Sequence, residues 1–157
     1  MNNNTKNGQK EQGFFPKGTK LYLDASFLIE AITSLEEKGD KARSLLEQIK
    51  SGLYEAYTST LSLDEVAWVV QRKKDRNVAA ESWESLFGIP HLEFIAVDTL
   101  LMQQSLEIYK KWNFKPRDAI HMAAMKSKVI NLMLSEDTDF DDRDGITRIA
   151  IDLLKAQ

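Results

Sequence analysis

Residues 20–30 read KLYLDASFLIE, an apolar run that breaks off at a carboxylate followed by a small residue and a hydroxyl. Leu21, Tyr22 and Leu23 are continuously apolar rather than alternating, which suits a strand covered on both faces, as the strands of a parallel sheet are. A helical pattern begins at Ser26. Asp24 therefore stands at the carboxyl end of a buried first strand, where open α/β sheets bind their ligands. Taken alone, Asp24 is equally well explained as the cap of the following helix. The balance turns on whether acids recur at equivalent places further along.

They do. A helix capped by Asp40, with Ala42, Leu45, Leu46 and Ile49 as its apolar stripe, stops at Gly52, and residues 53–58 read as a second strand. The next helix, expected over about residues 63–71, carries Asp64 and Glu65 in its first turn. Ser62 and Glu65 have the spacing of a capping box, a structural role to set against a functional one. A helix over about residues 78–87 and a strand over residues 92–97 follow, and Asp98 reads as a cap and nothing more. Pro116 suits the first position of another helix, which puts Asp118 in its first turn and His121 one turn on. Asp118 is explained by the helix dipole alone, and His121 reads as a packing or partner residue. Residues 130–134 form a fourth strand ending in Ser135, Glu136, Asp137, Thr138 and Asp139, and residues 147–151 a fifth. An EF-hand is excluded there, because Asp142 stands where the sharp-turn glycine belongs and Arg148 where the bidentate glutamate belongs.

Strands alternating with helices predict an α/β domain with a mostly parallel five-stranded sheet and right-handed crossovers. Its 157 residues suffice for one core, and 43% hydrophobic with 29% charged residues describes an ordinary globule without repeats or a membrane-spanning run. Residues 1–18 are mostly polar and read as a flexible leader in which Phe14, Phe15 and Pro16 are the sticky part; residues 19–157 form the domain. The absence of cysteine excludes a disulfide framework and thiolate zinc, and fits a reducing cytoplasm. A net charge of −3 argues against nucleic-acid binding through the whole surface while leaving room for local basic patches.

The carboxyl-end rim of such a sheet would hold Asp24, Glu65, Asp118 and Asp137 together. Two carboxylates about 4 Å apart repel by about 4 kcal/mol at an effective dielectric of about 20, whereas serine or asparagine would cap a helix without that cost. All-oxygen donors with only two histidines in the chain favour Mg2+ or Mn2+ over Zn2+.

The motifs YLDAS, SLDE, PRDAIHMAA and SEDTDF, in that order and spanning residues 20–140, resemble those of the PIN-domain nucleases, the family of the VapC toxins and several RNA-processing factors. The resemblance implies a three-layer sandwich, a metal-dependent ribonuclease and commonly a homodimer, and by extension the toxin of a toxin-antitoxin pair with an antitoxin as partner. Carried over by position, Asp24, Glu65, Asp118 and Asp137 are the catalytic and metal-holding acids, Asp139 shares or replaces the role of Asp137, and Ser26 and Ser135 support the site. The implied chemistry is metal-assisted hydrolysis of RNA phosphodiesters. Lys115 and Arg117, then Arg72 and Lys73, are the cations expected to guide the RNA backbone. The chain departs from the small toxins in its leader. The alternative within the fold is a noncatalytic scaffold that binds RNA or protein. A haloacid-dehalogenase-type phosphotransfer domain is disfavoured because Ser26 stands where its second aspartate belongs.

Overall fold

The computed structural model describes residues 13–143 and 145–155. Its strands are β1 (Lys20–Leu23), β2 (Glu55–Ser59), β3 (Leu92–Ile95), β4 (Leu132–Leu134) and β5 (Thr147–Ile149). All pair in parallel, in the order β3-β2-β1-β4-β5. The helices are α1 (Ala25–Thr33), α2 (Glu37–Lys50), α3 (Thr60–Lys73), α4 (Arg76–Phe87), α5 (Thr99–Lys111) and α6 (Pro116–Ser127). The chain builds outward from β1 to β3, then returns to lay β4 on the other side of β1. The topological switch point therefore falls between β1 and β4, and the crevice outside their carboxyl ends is where such sheets bind ligands.

β1 is buried on both faces, as its sequence predicts. Leu21 and Leu23 point into a core shared with α1 to α4, while Tyr22 points into a second core shared with α5 and α6. The result is the expected three-layer sandwich. Phe27 and Leu28, fully buried, anchor the first turn of α1, and burying each is worth roughly 1.5–3 kcal/mol. That anchoring holds the Asp24 to Ser26 segment rigidly at the end of β1.

Several boundaries differ from expectation for identifiable reasons. Asp40 lies inside α2 and pairs with Arg43 at 2.7 Å rather than capping the helix. α3 begins at Thr60, three residues earlier than expected, so Glu65 lies beyond the first turn and makes no capping box. Ser62 Oγ instead lies 2.8 Å from Thr58 Oγ1, which donates to Leu23 O (2.7 Å), so the hydroxyl-rich stretch satisfies itself across β1 and the start of α3. Asp98 does cap α5, accepting from Leu101 N at 2.8 Å, and Pro116 does open α6.

Residues 1–12 of the expected leader lie outside the described residues. Its remainder is docked: Phe14 and Phe15 pack against the core, and Tyr54 Oη accepts from Phe15 N at 2.9 Å. No helix among the described residues is long and apolar enough to cross a membrane.

Candidate metal centre

Four elements deliver acids to one crevice. Asp24 follows β1, Glu65 projects from α3, Asp118 from the first turn of α6, and Asp137 from the loop after β4; all four line a cleft of about 220 Å³ together with Ser26, Trp68, Arg117 and His121. Their oxygens form two groups. Oxygens of Asp24 and Glu65 lie with a nitrogen of His121 within 4.8 Å of one another, and so do oxygens of Asp118, Asp137 and Asp139. Asp64, the neighbour of Glu65 in sequence, is exposed and does not line the cleft.

The first group is saturated with donors. Asp24 Oδ2 accepts from Ser26 Oγ (2.5 Å), Ser26 N (3.3 Å) and Ser135 Oγ (2.8 Å), so its role as helix cap and its place in the cleft coexist. Ser135 Oγ in turn accepts from Asp137 N (3.0 Å), and Ser26 Oγ from Glu136 N (3.0 Å), tying the loop after β4 to the end of β1. The two serines thus fix Asp24 and Asp137 relative to each other.

His121 is the residue that sequence reasoning undervalued. Buried on α6, it hydrogen-bonds Tyr22 Oη through Nδ1 (2.8 Å) and Glu65 Oε2 through Nε2 (3.0 Å), with Asp24 Oδ1 at 3.5 Å. Burial lowers its pKa, but Tyr22, the Glu65 hydrogen bond and Asp24 outweigh this and hold it well above the ordinary histidine value. The protonated ring then bridges two carboxylates that would otherwise repel. The only hint in the sequence was its spacing of three from Asp118; its partner Tyr22 lies 99 positions away.

A pH dependence follows. Because its folded pKa is raised, the stability His121 contributes is complete below its unfolded value of about 6.5 and is lost as pH rises through the folded value. In chelator, the stability difference between wild type and His121→Gln, measured by urea unfolding, should shrink steadily as pH is raised above neutrality. A difference constant with pH would show that the ring is neutral in the folded protein.

The second group is short of donors. Asp118 is buried, and its Oδ2 has no hydrogen-bond partner among the described residues. Burial first, then the charge of Asp137, pushes its carboxyl up from the usual range, with Lys115 acting in the opposite sense. An orphaned buried carboxylate oxygen is costly unless something cationic meets it. Asp137 spends Oδ1 on Asp139 N (2.9 Å), and Asp139 is paired with exposed Lys115 at 2.5 Å. Oxygen-only donors, one lacking any partner, fit a hard divalent cation such as Mg2+ or Mn2+.

The expected guiding cations fall into two sets. Lys115 and Arg117 stand at the rim, where Arg117 lies 3.6 Å from Glu65 Oε1 and Lys115 holds Asp139. Arg72 and Lys73 are exposed at the end of α3, with the Arg72 guanidinium 4.4 Å from the centre of the Trp68 ring.

The family model for the PIN domain matches residues 21–146. The chain belongs to the PIN-domain family. Similar solved structures include VapC20 of Mycobacterium tuberculosis, described as a toxin cleaving the sarcin-ricin loop, with 19% identity and a TM-score of 0.66 over 80% of this chain and 96% of that one. VapBC2 of Rickettsia felis, bound to a DNA fragment from its promoter, has 13% identity and a TM-score of 0.64, covering 84% of this chain and 98% of that one. A toxin-antitoxin complex from Klebsiella pneumoniae has 16% identity and a TM-score of 0.60, covering 81% and 95%. At these identities the likeness is one of fold. No curated protein matches the chain by sequence.

Proposed function

We propose that this protein is a ribonuclease that hydrolyses RNA phosphodiester bonds with Mg2+ or Mn2+, and that it is the toxin of a toxin-antitoxin pair. The observation that carries the reading is Asp118 Oδ2, a buried carboxylate oxygen without a partner among the described residues, facing a cleft that already holds three other acids. The toxin role is supported by the neighbours, which are VapC-type toxins and their antitoxin complexes.

In this reading Asp118, Asp137 and Asp139 hold the ion, with Asp24 and Glu65 completing the acidic cleft. A divalent ion held there supplies Lewis-acid stabilisation of phosphate charge and makes a water more acidic. Asp24, fixed by Ser26 and Ser135, and Glu65, fixed by His121, present oriented acceptors to the water that attacks phosphorus. Arg117 and Lys115 exchange their carboxylate partners for phosphate oxygens as the strand enters, neutralising the backbone at the moment it meets the acids. A cytoplasmic location, a homodimer and an antitoxin partner belong to the same proposal.

The test is incubation with a mixed RNA pool in Mn2+ or Mg2+, with a chelator and a site variant as controls. Cleavage that needs the metal and is lost when Glu65 becomes Gln supports the reading. An intact pool with wild type in both metals would refute it.

A further inference from the structure

We propose that Trp68 is a stacking platform for an unpaired nucleobase of the RNA strand, backed by Arg72, an inference that rests on the ribonuclease reading of the neighbouring site. Trp68 remains 58% exposed although it lines the same cleft as Asp24, Glu65, Asp118 and Asp137. The chain's other two tryptophans have structural work. Trp83 donates its indole N–H to Leu63 O, and Trp112 packs against the core beneath α5 and α6. Among the described residues, the ring partner of Trp68 is the Arg72 guanidinium, 4.4 Å from its centre.

Spacing along α3 gives this arrangement a direction. Glu65, Trp68 and Arg72 stand at i, i+3 and i+7 and so share one face of the helix. At about 1.5 Å per residue, that stripe runs roughly 10 Å from acid through aromatic to cation. Arg72, Lys73, Lys74 and Arg76 are all exposed, and none is ion-paired with a carboxylate among the described residues. The aromatic step therefore leads from the acidic cleft onto a positive surface. That charge sequence suits a polyanion carrying aromatic bases better than an apolar protein segment. Arg72 lies against the ring, and exposed aromatic surface remains for a base. A base can reach that surface only if it is unpaired, so the platform selects single-stranded or splayed-out RNA beside the cleaved bond.

The test is fluorescence anisotropy with a labelled single-stranded oligoadenylate, and with the same strand made abasic, in chelator so that nothing is cut. Trp68→Ala should weaken oligoadenylate binding about 5- to 150-fold, the usual range for removing one base-aromatic stack, while Trp68→Phe keeps most of the affinity. The abasic strand should bind wild type and Trp68→Ala alike. Thermal unfolding checks that each variant is folded. Oligoadenylate affinity in Trp68→Ala equal to wild type, as expected if the ring serves a protein partner, overturns the platform. Cleavage of the RNA pool is measured in parallel. Metal-dependent cleavage by wild type together with that equal affinity removes the platform alone, whereas absence of both binding and cleavage by wild type removes the ribonuclease reading with it.

Discussion

Asp118→Asn is expected to abolish metal-dependent cleavage while leaving the metal-free protein at least as stable as wild type. The two effects have one cause. Asp118 is buried with an oxygen unpartnered among the described residues, and burial together with Asp137 raises its pKa, so ionising it at neutral pH works against the fold. The sign is fixed: a raised folded pKa gives stability that is present below the unfolded value and lost as pH rises through the folded one. Asparagine removes the charge and so removes that loss. It also removes an anionic donor from the group formed with Asp137 and Asp139. A residue that merely supports a metal ligand typically costs 10–100-fold in activity, so losing a ligand should cost at least about a hundredfold. In wild type, Mn2+ at about a hundred times its dissociation constant should stabilise by about 2.7 kcal/mol, and the variant should show little of this gain. Thermal unfolding with and without Mn2+, together with the RNA assay, measures both effects. A variant less stable than wild type in chelator, yet still stabilised by Mn2+, would mean that Asp118 is a structural acid.

Asp24 should behave in the opposite way without metal. Its Oδ2 collects donors from both Ser26 and Ser135, and its Oδ1 faces His121. Asp24→Ala leaves these donors without their acceptor, and a buried polar group left unsatisfied costs about 1–3 kcal/mol. The variant should therefore lose cleavage and also unfold at lower denaturant in chelator. Asp24→Asn keeps an oxygen for the serines and should lose cleavage with a smaller loss of stability. The contrast separates the two acids: without metal Asp118 works against the fold, whereas Asp24 is integral to the hydrogen bonds that join β1 to the loop after β4. Equal chelator stability of Asp24→Ala and wild type would show that those hydrogen bonds contribute nothing.

Much of this was legible in the residues. The unbroken Leu21, Tyr22, Leu23 run suits a strand covered on both faces, and two cores do flank it. Pro116 and Asp98 marked helix starts because their chemistry is local. The start of α3 was not legible. A run of hydroxyl residues reads as a turn until it is seen that Thr58 bonds Leu23 O, a contact 35 positions away in the chain. That shift matters for function, since it removes the capping explanation for Glu65 and leaves its carboxylate to His121 and Arg117. His121 and Trp68 were hidden for the same reason. Their roles depend on what the fold sets opposite them, although Trp68 sits one helical turn from Glu65 and could have been found by following that face.

The most direct measurement is anomalous diffraction from crystals of the wild-type protein soaked in Mn2+. A manganese peak is expected in the cleft at the carboxyl ends of β1 and β4, with Asp118 Oδ2 among its ligands. Saturating Mn2+ that leaves this cleft without a peak, or places manganese only on exposed carboxylates elsewhere, would contradict it.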